Sequence, residues 1–579
     1  MWKFLSLLYT TLPLLGGSLQ VSIAPEFGGQ ALTLDSIKYQ QTETFSVSRL
    51  SYLLSDFALL ESEGKWISLE NQYAYLDETK RRRAFELNEV PEGSYHGFRF
   101  SVGIPKKTNH SAPAKHPADH PLNPNFNQLH WDWNTGYIFM ALEGRFRPRS
   151  QSSKNELEGY VYHLANDNNL SRVQLATRFQ IKNSTHLRLT LDLKKLLGHP
   201  REISFEKDGA STHSHPGDPI ASALIANLQS AFSIVAIEYA AADLPQKPIT
   251  PIDLPKAFTP FPFKMSGRFP IPPLPRDNPL IKERAELGAK LFSDPILSAD
   301  QSISCATCHE RSAALSDQRK FSLGVENRIG TRNSMPLFNL AWKSSFFWDG
   351  RARSLREQVL SPIQDHNEMA SNLKEVTKRL SADPTYRDAF SRAFFSGEIT
   401  PENIALALEN HLLTLTSYDS KFDRAMSGKV TLSKNEKRGM ELFFTEYEPR
   451  SKQFGADCFH CHGGANFSDH QFHNNGLKPN DDTGRFQFTK NERDRNIFST
   501  PSLRNIALTA PYMHDGRFQT LEETIAHYSG PMHRSKTLDP NLAKHPKAGL
   551  QLKKEDQAAL VDFLKTLSDP KYLRSAEKN

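Results

Sequence analysis

The sequence predicts a multidomain chain, with an N-terminal antiparallel β-sandwich or barrel followed by a mainly helical C-terminal part. Three observations predict it. Apolar residues recur at every second position ahead of about residue 244, prolines crowd 245–280, and beyond them apolar residues recur three and four apart.

Taken in order, the first segment, 1–18, has one positive charge at Lys3 and then an apolar run, Phe4–Leu15, broken by Thr10, Thr11 and Pro13. Small residues Gly16, Gly17 and Ser18 follow. This order is that of an export signal, with a buried first strand as the competing reading. No other segment approaches the roughly 18–20 apolar residues of a membrane span. The expectation is therefore a periplasmic protein whose mature form has no membrane span. From 19 to 244, runs such as Phe98, Phe100 and Val102, or Leu187, Leu189, Leu191 and Leu193, alternate with polar residues between Asn, Asp, Gly and Pro clusters. A period of two is that of half-buried strands. Prolines from Pro245 to Pro279 each fix φ and remove a backbone donor, so 245–280 is read as an extended spacer and domain boundary. In 281–570, Ile281–Phe292, Pro401–Ala425, Ser433–Phe443 and Lys554–Leu567 have the spacing of amphipathic helices. Thr520 with Glu523 is a capping box opening a helix to about Tyr528.

Composition narrows the classes. The net charge of +6 is the small difference between 71 basic and 65 acidic residues spread over 579 positions, so no basic tail or stripe points to nucleic acid. Four cysteines are too few for a disulfide scaffold, and all of them fall in two short clusters of one design.

Those clusters, Cys305-Ala306-Thr307-Cys308-His309 and Cys458-Phe459-His460-Cys461-His462, are both Cys-x-x-Cys-His, the attachment pattern of c-type haem. The thiols form thioethers to the porphyrin and the adjacent imidazole is the proximal iron ligand. A thioredoxin-like dithiol needs no following histidine, and a zinc ion held by all four thiolates would leave both histidines unexplained. Two covalent haems are expected, on Cys305, Cys308 and His309 and on Cys458, Cys461 and His462.

With these motifs in place, the region from about Leu280 to Leu567 resembles the bacterial dihaem cytochrome c peroxidase and MauG superfamily. The resemblance is carried by Arg332-Asn333-Ser334, Phe346-Phe347-Trp348-Asp349-Gly350-Arg351, Glu357-Gln358, Asn367-Glu368-Met369, Thr500-Pro501-Ser502-Leu503-Arg504-Asn505 and Thr509-Ala510-Pro511-Tyr512-Met513-His514-Asp515-Gly516. It implies two cytochrome c-like helical halves, each with a haem, and hydrogen peroxide as substrate. By motif, Trp348 matches the inter-haem tryptophan, Glu368 the distal carboxylate that shuttles a peroxide proton, and Gln358 a distal amide of the MauG branch. Asn333, Thr509 and Pro511 match calcium ligands, oxygen donors suited to a hard cation. Residues 310–336 contain no histidine that could block the first haem, as one does in many family peroxidases. At the second haem, Tyr528 matches the MauG-type sixth ligand, and Met532 is the alternative. A phenolate lowers the haem potential and favours storage of oxidising equivalents over acceptance of electrons from a donor protein.

Residues from about Gly17 to Leu244 resemble the copper-binding protein MbnP, through Gly93-Ser94-Tyr95-His96-Gly97-Phe98-Arg99-Phe100, Asn123-Pro124-Asn125-Phe126, His130-Trp131-Asp132-Trp133-Asn134-Thr135-Gly136-Tyr137 and Tyr162-His163-Leu164. MbnP has MauG-like partners, MbnH, that oxidise one of its tryptophans to kynurenine, a modification associated with copper binding. The resemblance therefore implies an enzyme fused to its substrate, acting in cis or in trans, with Trp131 and Trp133 as candidate modified residues. Copper prefers imidazole, and His130, His163, His213 and His215 are its candidate ligands. The rival is a cytochrome c peroxidase that draws electrons from a small redox donor protein.

Overall fold

The computed structural model describes residues 17–40, 43–131, 136–148, 157–182, 184–240, 252–449 and 452–576. The expected export signal up to residue 16, and Trp133, lie outside these. The chain divides into two compact units, one of 1–111 with 135–247 and one of 112–134 with 248–579.

The first unit is built on strands β1 (Gly17–Phe27), β2 (Glu43–Glu61), β3 (Ala84–Val90), β4 (Gly93–Val102), β5 (Gly136–Arg147), β6 (Glu158–Ala165), β7 (Ser171–Ile181), β8 (Ser184–Asp192) and β9 (Phe232–Ala240). They form two sheets, one ordered β9-β8-β1 with β3 also on β1, the other β7-β4-β2-β5-β6. Leu19, Val21 and Ile23 of β1 and Leu187, Leu189 and Leu191 of β8 are buried, as a period of two requires of a strand with one covered face. Phe57 of β2 meets Phe85 of β3 at 5.3 Å, and Phe100 of β4 meets Phe232 of β9 at 5.1 Å. These pairs join the inner faces of the two sheets.

Two pairings depart from the antiparallel expectation: β1 and β8 run parallel, with Val21 opposite Leu187, and β6 pairs in parallel with Ser211–Thr212. Alternation is the same in either direction, so it could not have revealed this; direction is set by the long connection between the two strands. A helix, α1 (Pro219–Ala231), was also not foreseen. Asp218 caps it by accepting from the amides of Ile220 and Ala221, and Pro219 supplies a preset φ at the first position.

The second unit contains helices α2 (Lys282–Ser293), α3 (Leu355–Gln364), α4 (Pro401–Leu413), α5 (Lys434–Phe444), α6 (Leu521–Ser529) and α7 (Lys554–Lys565). Its two halves are built alike. Gly288 of α2 lies against α4 so closely that a Cβ would stand 2.0 Å from the Ala407 carbonyl oxygen, and Gly439 of α5 lies against α7 with a Cβ 1.9 Å from that of Ala559. Each half thus pairs its first and last helices at backbone contact distance. The expected helix over 401–425 is broken after Leu413 and resumes as a short helix, Lys421–Met426. In the gap the Asn339 side chain accepts from the Ser417 amide at 2.8 Å and donates to its carbonyl at 2.9 Å, which replaces helical bonding there.

From Ile252 onward the proline-rich stretch is extended, as its φ restriction demands, but packs as a strap within the second unit instead of standing free as a spacer. Phe269 is buried, and the Pro270 carbonyl accepts from Trp342 Nε1 at 2.8 Å. Fully buried Asn278 donates to the Leu406 carbonyl and to Glu409, and accepts from Arg284. Proline removes donors from a segment but leaves its carbonyls and apolar side chains to be used. Among the described residues no helix is long and apolar enough to cross a membrane.

Candidate active site

The first cysteine motif is one helical turn, Cys305–Cys308, opened by a capping box between Ser304 and Thr307. A spacing of three on a turn of helix brings both thiols to one side. The turn continues to His309, whose amide donates to the Cys305 carbonyl at 3.0 Å. The His309 ring is fixed by Nδ1, which lies 3.0 Å from the Leu315 carbonyl and 3.3 Å from Ser334 Oγ. A carbonyl can only accept, so Nδ1 carries the proton and the Nε2 lone pair is left for a metal. The second motif repeats this on a 3₁₀ turn, Cys458–His460: the His462 amide bonds the Cys458 carbonyl at 3.0 Å, and His462 Nδ1 donates to the Phe467 carbonyl at 3.1 Å. Burial lowers the pKa of both imidazoles, keeping them neutral, and raises those of the thiols of Cys305 and Cys458 to about 12. None of the four thiols is in a disulfide.

Glu368 lies in the turn that follows α3. Its amide donates to the Asp365 carbonyl at 3.1 Å and its own carbonyl accepts from Val325 at 2.9 Å. Burial, with the neighbouring Asp365 charge, pushes its carboxyl up from 4.5 to about 7, against a smaller opposing pull from Arg351. Its charge in turn helps raise the Cys305 and Cys308 thiols, which puts it on their side of the fold. A carboxyl poised near neutrality can both take and return a proton. Gly324 packs beneath it, where a Cβ would stand 2.5 Å from the Glu368 carbonyl oxygen. Gln358 is half-buried on α3, the helix that leads into this turn.

Trp348 is buried, and its indole Nε1 donates to the Asn333 carbonyl at 2.8 Å. His514 lies edge-on to it at 6.5 Å and stacks on Phe498 at 3.7 Å. The Asn333 amide donates to the His514 carbonyl at 2.8 Å, and Asn333 Nδ2 points at the carbonyls of Arg319 and Lys320. That leaves Asn333 Oδ1 as the acceptor end, tied to the same stretch as Thr509 and Pro511. Oxygen donors from these three residues are what a calcium ion takes.

On α6, which Thr520 and Glu523 cap as expected, Tyr528 is held by Asn475, whose Nδ2 donates to the phenol oxygen at 3.1 Å and approaches Met513 Sδ at 3.5 Å. The Asn475 carbonyl is in turn 3.0 Å from His527 Nε2. Burial raises the Tyr528 pKa, against the hydrogen bond from Asn475, which lowers it. Met532 packs against Gly476, where a Cβ would stand 2.8 Å from that of Met532.

In the first unit, the copper candidates separate. His163 and His213 are both buried with their rings at 4.9 Å, and His163 Nε2 is 2.9 Å from Glu143, which also pairs with Arg49 at 2.8 Å. His215, two residues on, is exposed, and is not brought to this pair. His130 is half-buried and belongs with 112–134 in the second unit, as does buried Trp131.

Comparison with known proteins gives these sites a context. Residues 282–431 match the family model of dihaem cytochrome c peroxidase, 447–568 that of cytochrome c, and 16–214 that of MbnP. The methylamine utilization protein MauG of Methylorubrum extorquens is 38% identical over 300 residues, which are 51% of this chain and 81% of the relative. The chain belongs to the dihaem cytochrome c peroxidase and MauG family. The cytochrome c551 peroxidase of Pseudomonas aeruginosa is 34% identical over 304 residues, 51% of this chain and 81% of that protein. A crystal structure described as a MauG-like protein associated with microbial copper homeostasis is 31% identical, with a TM-score of 0.49, and covers 54% of this chain and 97% of its own. MbnP from Methylosinus trichosporium is 16% identical, with a TM-score of 0.28, over 39% of this chain and 99% of that one.

This dihaem peroxidase is thus fused to an N-terminal MbnP domain, and its family carries two c-type haems. The residues present fit them: two thiols and one Nδ1-anchored imidazole at each motif would hold each haem, which when bound supplies the redox chemistry with hydrogen peroxide. Sequence reasoning missed Asn475, because nothing local distinguishes it from the neighbouring Asn474. It also missed His473, held between Asp469 at 2.7 Å and Asp539 at 2.6 Å, which keep its pKa well above the ordinary value. Asp539 is far along the chain, so no spacing could announce the pair.

Proposed function

We propose that this peroxidase uses hydrogen peroxide to oxidise a tryptophan of an MbnP domain to kynurenine, its own or that of a second chain, in the periplasm. The observation that carries this is the covalent union of a MauG-family enzyme with an MbnP domain in one chain. Tethering raises the substrate's effective concentration without any new contact.

Glu368 accepts the proton of incoming peroxide and returns it to the departing oxygen, assisted by Gln358. Trp348, with its N–H committed to the Asn333 carbonyl, carries oxidising equivalents between the halves. Tyr528, in preference to Met532, would be the further side chain holding the second haem, since Asn475 fixes the phenol oxygen at 3.1 Å. Asn333, Thr509 and Pro511 bind calcium. Copper, if carried, is taken by imidazole, and the buried His163 and His213 offer two rings at one place.

The test is to add hydrogen peroxide to the diferric holoprotein and map tryptophan oxidation by mass spectrometry. Oxygen gained at Trp131 or Trp133 is expected. Unaltered tryptophans, together with rapid peroxide turnover on adding a reduced small cytochrome, would instead identify a peroxidase that serves a donor protein.

A further inference from the structure

Residues 112–134 interrupt the first unit in sequence yet belong to the second in space. This excursion carries the motif Asn123-Pro124-Asn125-Phe126 and ends in His130-Trp131, and it is internally braced. Fully buried Asn123 accepts from the Asn125 amide at 2.9 Å and donates from Nδ2 to the carbonyls of His116 and Pro117, both at 3.1 Å. Fully buried Asn127 donates to the Pro121 carbonyl at 2.8 Å and accepts from the Leu129 amide at 2.7 Å.

Two further bonds fasten it to the haem-bearing part of its unit. Asn123 Nδ2 also donates to the Ile271 carbonyl at 3.0 Å, and the adjacent Pro270 carbonyl takes the indole N–H of Trp342. The strap is thereby gripped from one side by a core tryptophan of the first half and from the other by the excursion. Gln128 Oε1 accepts from Gln471 Nε2, nine residues beyond His462. Gln471 leads directly back to Trp348: its carbonyl accepts from Thr500 at 2.9 Å, and the Ser499 amide donates to the Trp348 carbonyl at 2.7 Å. Trp131 is three residues from Gln128, a reach of at most about 11 Å of extended chain. It is 6% exposed, closed to an oxidant arriving from solvent.

We propose that the 112–134 excursion is a substrate segment built into the enzyme, docked through Asn123 and Gln128, and that Trp131 is oxidised within the same chain by electron withdrawal toward Trp348 and the second haem motif. This rests on the tryptophan-oxidation reading above and names its residue and its geometry. The reaction balances with the family's own oxidant. Two molecules of hydrogen peroxide give N-formylkynurenine and two of water: the indole C2–C3 bond breaks, each of those carbons becomes a carbonyl, and four electrons pass from the ring to peroxide. Hydrolysis of the N-formyl group then yields kynurenine and formate.

The experiment mixes unlabelled holoprotein with a ¹⁵N-labelled Glu368→Gln chain whose haem content has been matched by absorbance, adds hydrogen peroxide, and reads the Trp131 peptide of each chain by mass spectrometry. Oxidation confined to the unlabelled peptide at every mixing ratio is expected, because at micromolar protein the tethered site outcompetes a second chain by roughly 10²–10³. Equal oxidation of both peptides, or oxidation at another tryptophan, would overturn the proposal. Peroxide consumed with no tryptophan altered in either chain would overturn the underlying function, and this proposal with it. An unlabelled Gln128→Ala chain gives a second measure. Its yield of oxidised Trp131 per peroxide consumed should fall by roughly tenfold, the worth of one well-placed hydrogen bond; an undiminished yield would refute docking through Gln128.

Discussion

Glu368 concentrates the chemistry of the first site in one titration. Its carboxyl holds its proton to about pH 7 in the fold, against 4.5 for the free group. In its proposed role as acceptor of peroxide's proton it must be ionised, so the rate of reaction with peroxide should rise with pH through about 7. Stopped-flow measurement of Glu368→Gln should show the rate reduced by roughly 10²–10⁴ and that rise abolished. Stability moves the opposite way. Between the two values the folded chain binds more protons than the unfolded one, so the contribution of this group is complete below 4.5 and is lost as the pH climbs toward 7. At the second site, Tyr528→Met should raise the potential of the haem on His462, read by spectroelectrochemical titration, because a thioether stabilises the reduced iron that a phenolate disfavours. Asn475→Ala should shift the same potential with the ligand retained, since it removes the donor that orients the phenol oxygen.

The elements act through backbone contact as much as through side chains. Gly324 underlies the turn that bears Glu368, with a Cβ there 2.1 Å from the Asn367 carbonyl oxygen, so Gly324→Ala should displace that turn. Slow peroxide reaction with both haems still covalently attached, seen by haem stain and stopped flow, is the expected outcome. On α6, Thr520→Ala removes the cap and should cost ~1 kcal/mol in denaturant unfolding. That cap, like the helices over 282–293, 434–444 and 554–565, was legible because it is written in neighbouring residues. The haem motifs were legible for the same reason, since one turn holds the whole donor set. The parallel pairing of β1 with β8, the docking of the strap and the His473 carboxylate pair were not. Each depends on residues brought together from distant sequence, where alternation and proline content give no direction or partner. The copper candidates show both cases: His163 and His213 meet because β6 pairs with Ser211–Thr212, just ahead of His213, while His215, two residues from His213, is turned out to solvent.

For the haem-bearing unit as a whole, what needs explaining is how two similar halves become one enzyme. Each has its own core and its own pair of glycine-apposed helices, α2 with α4 and α5 with α7. Polar and apolar groups both cross between them: Arg332 bridges Asp349 and Asp482, both at 2.7 Å, Asn333 bonds the His514 carbonyl, and Tyr572 packs against Phe338 in the core of the first half. The Asn333 carbonyl also accepts from the Trp348 indole N–H, so the residue read as a calcium ligand from the first half positions that tryptophan and touches the stretch bearing Thr509 and Pro511. A calcium ion bound there stabilises only the assembled arrangement, by about 2.7 kcal/mol at a hundredfold excess over its Kd. Chelation should therefore lower the unfolding temperature and, because it frees the Asn333 side chain, disturb the coupling of the two haems before either is lost. Calorimetry with and without chelator, alongside the haem spectra, measures both effects, and readdition of calcium but not magnesium should restore them, since the smaller ion demands a stricter octahedron and holds its water. Unfolding and spectra that ignore chelator and calcium alike would remove the ion from this site and leave the halves joined by direct contacts such as the Arg332 bridge.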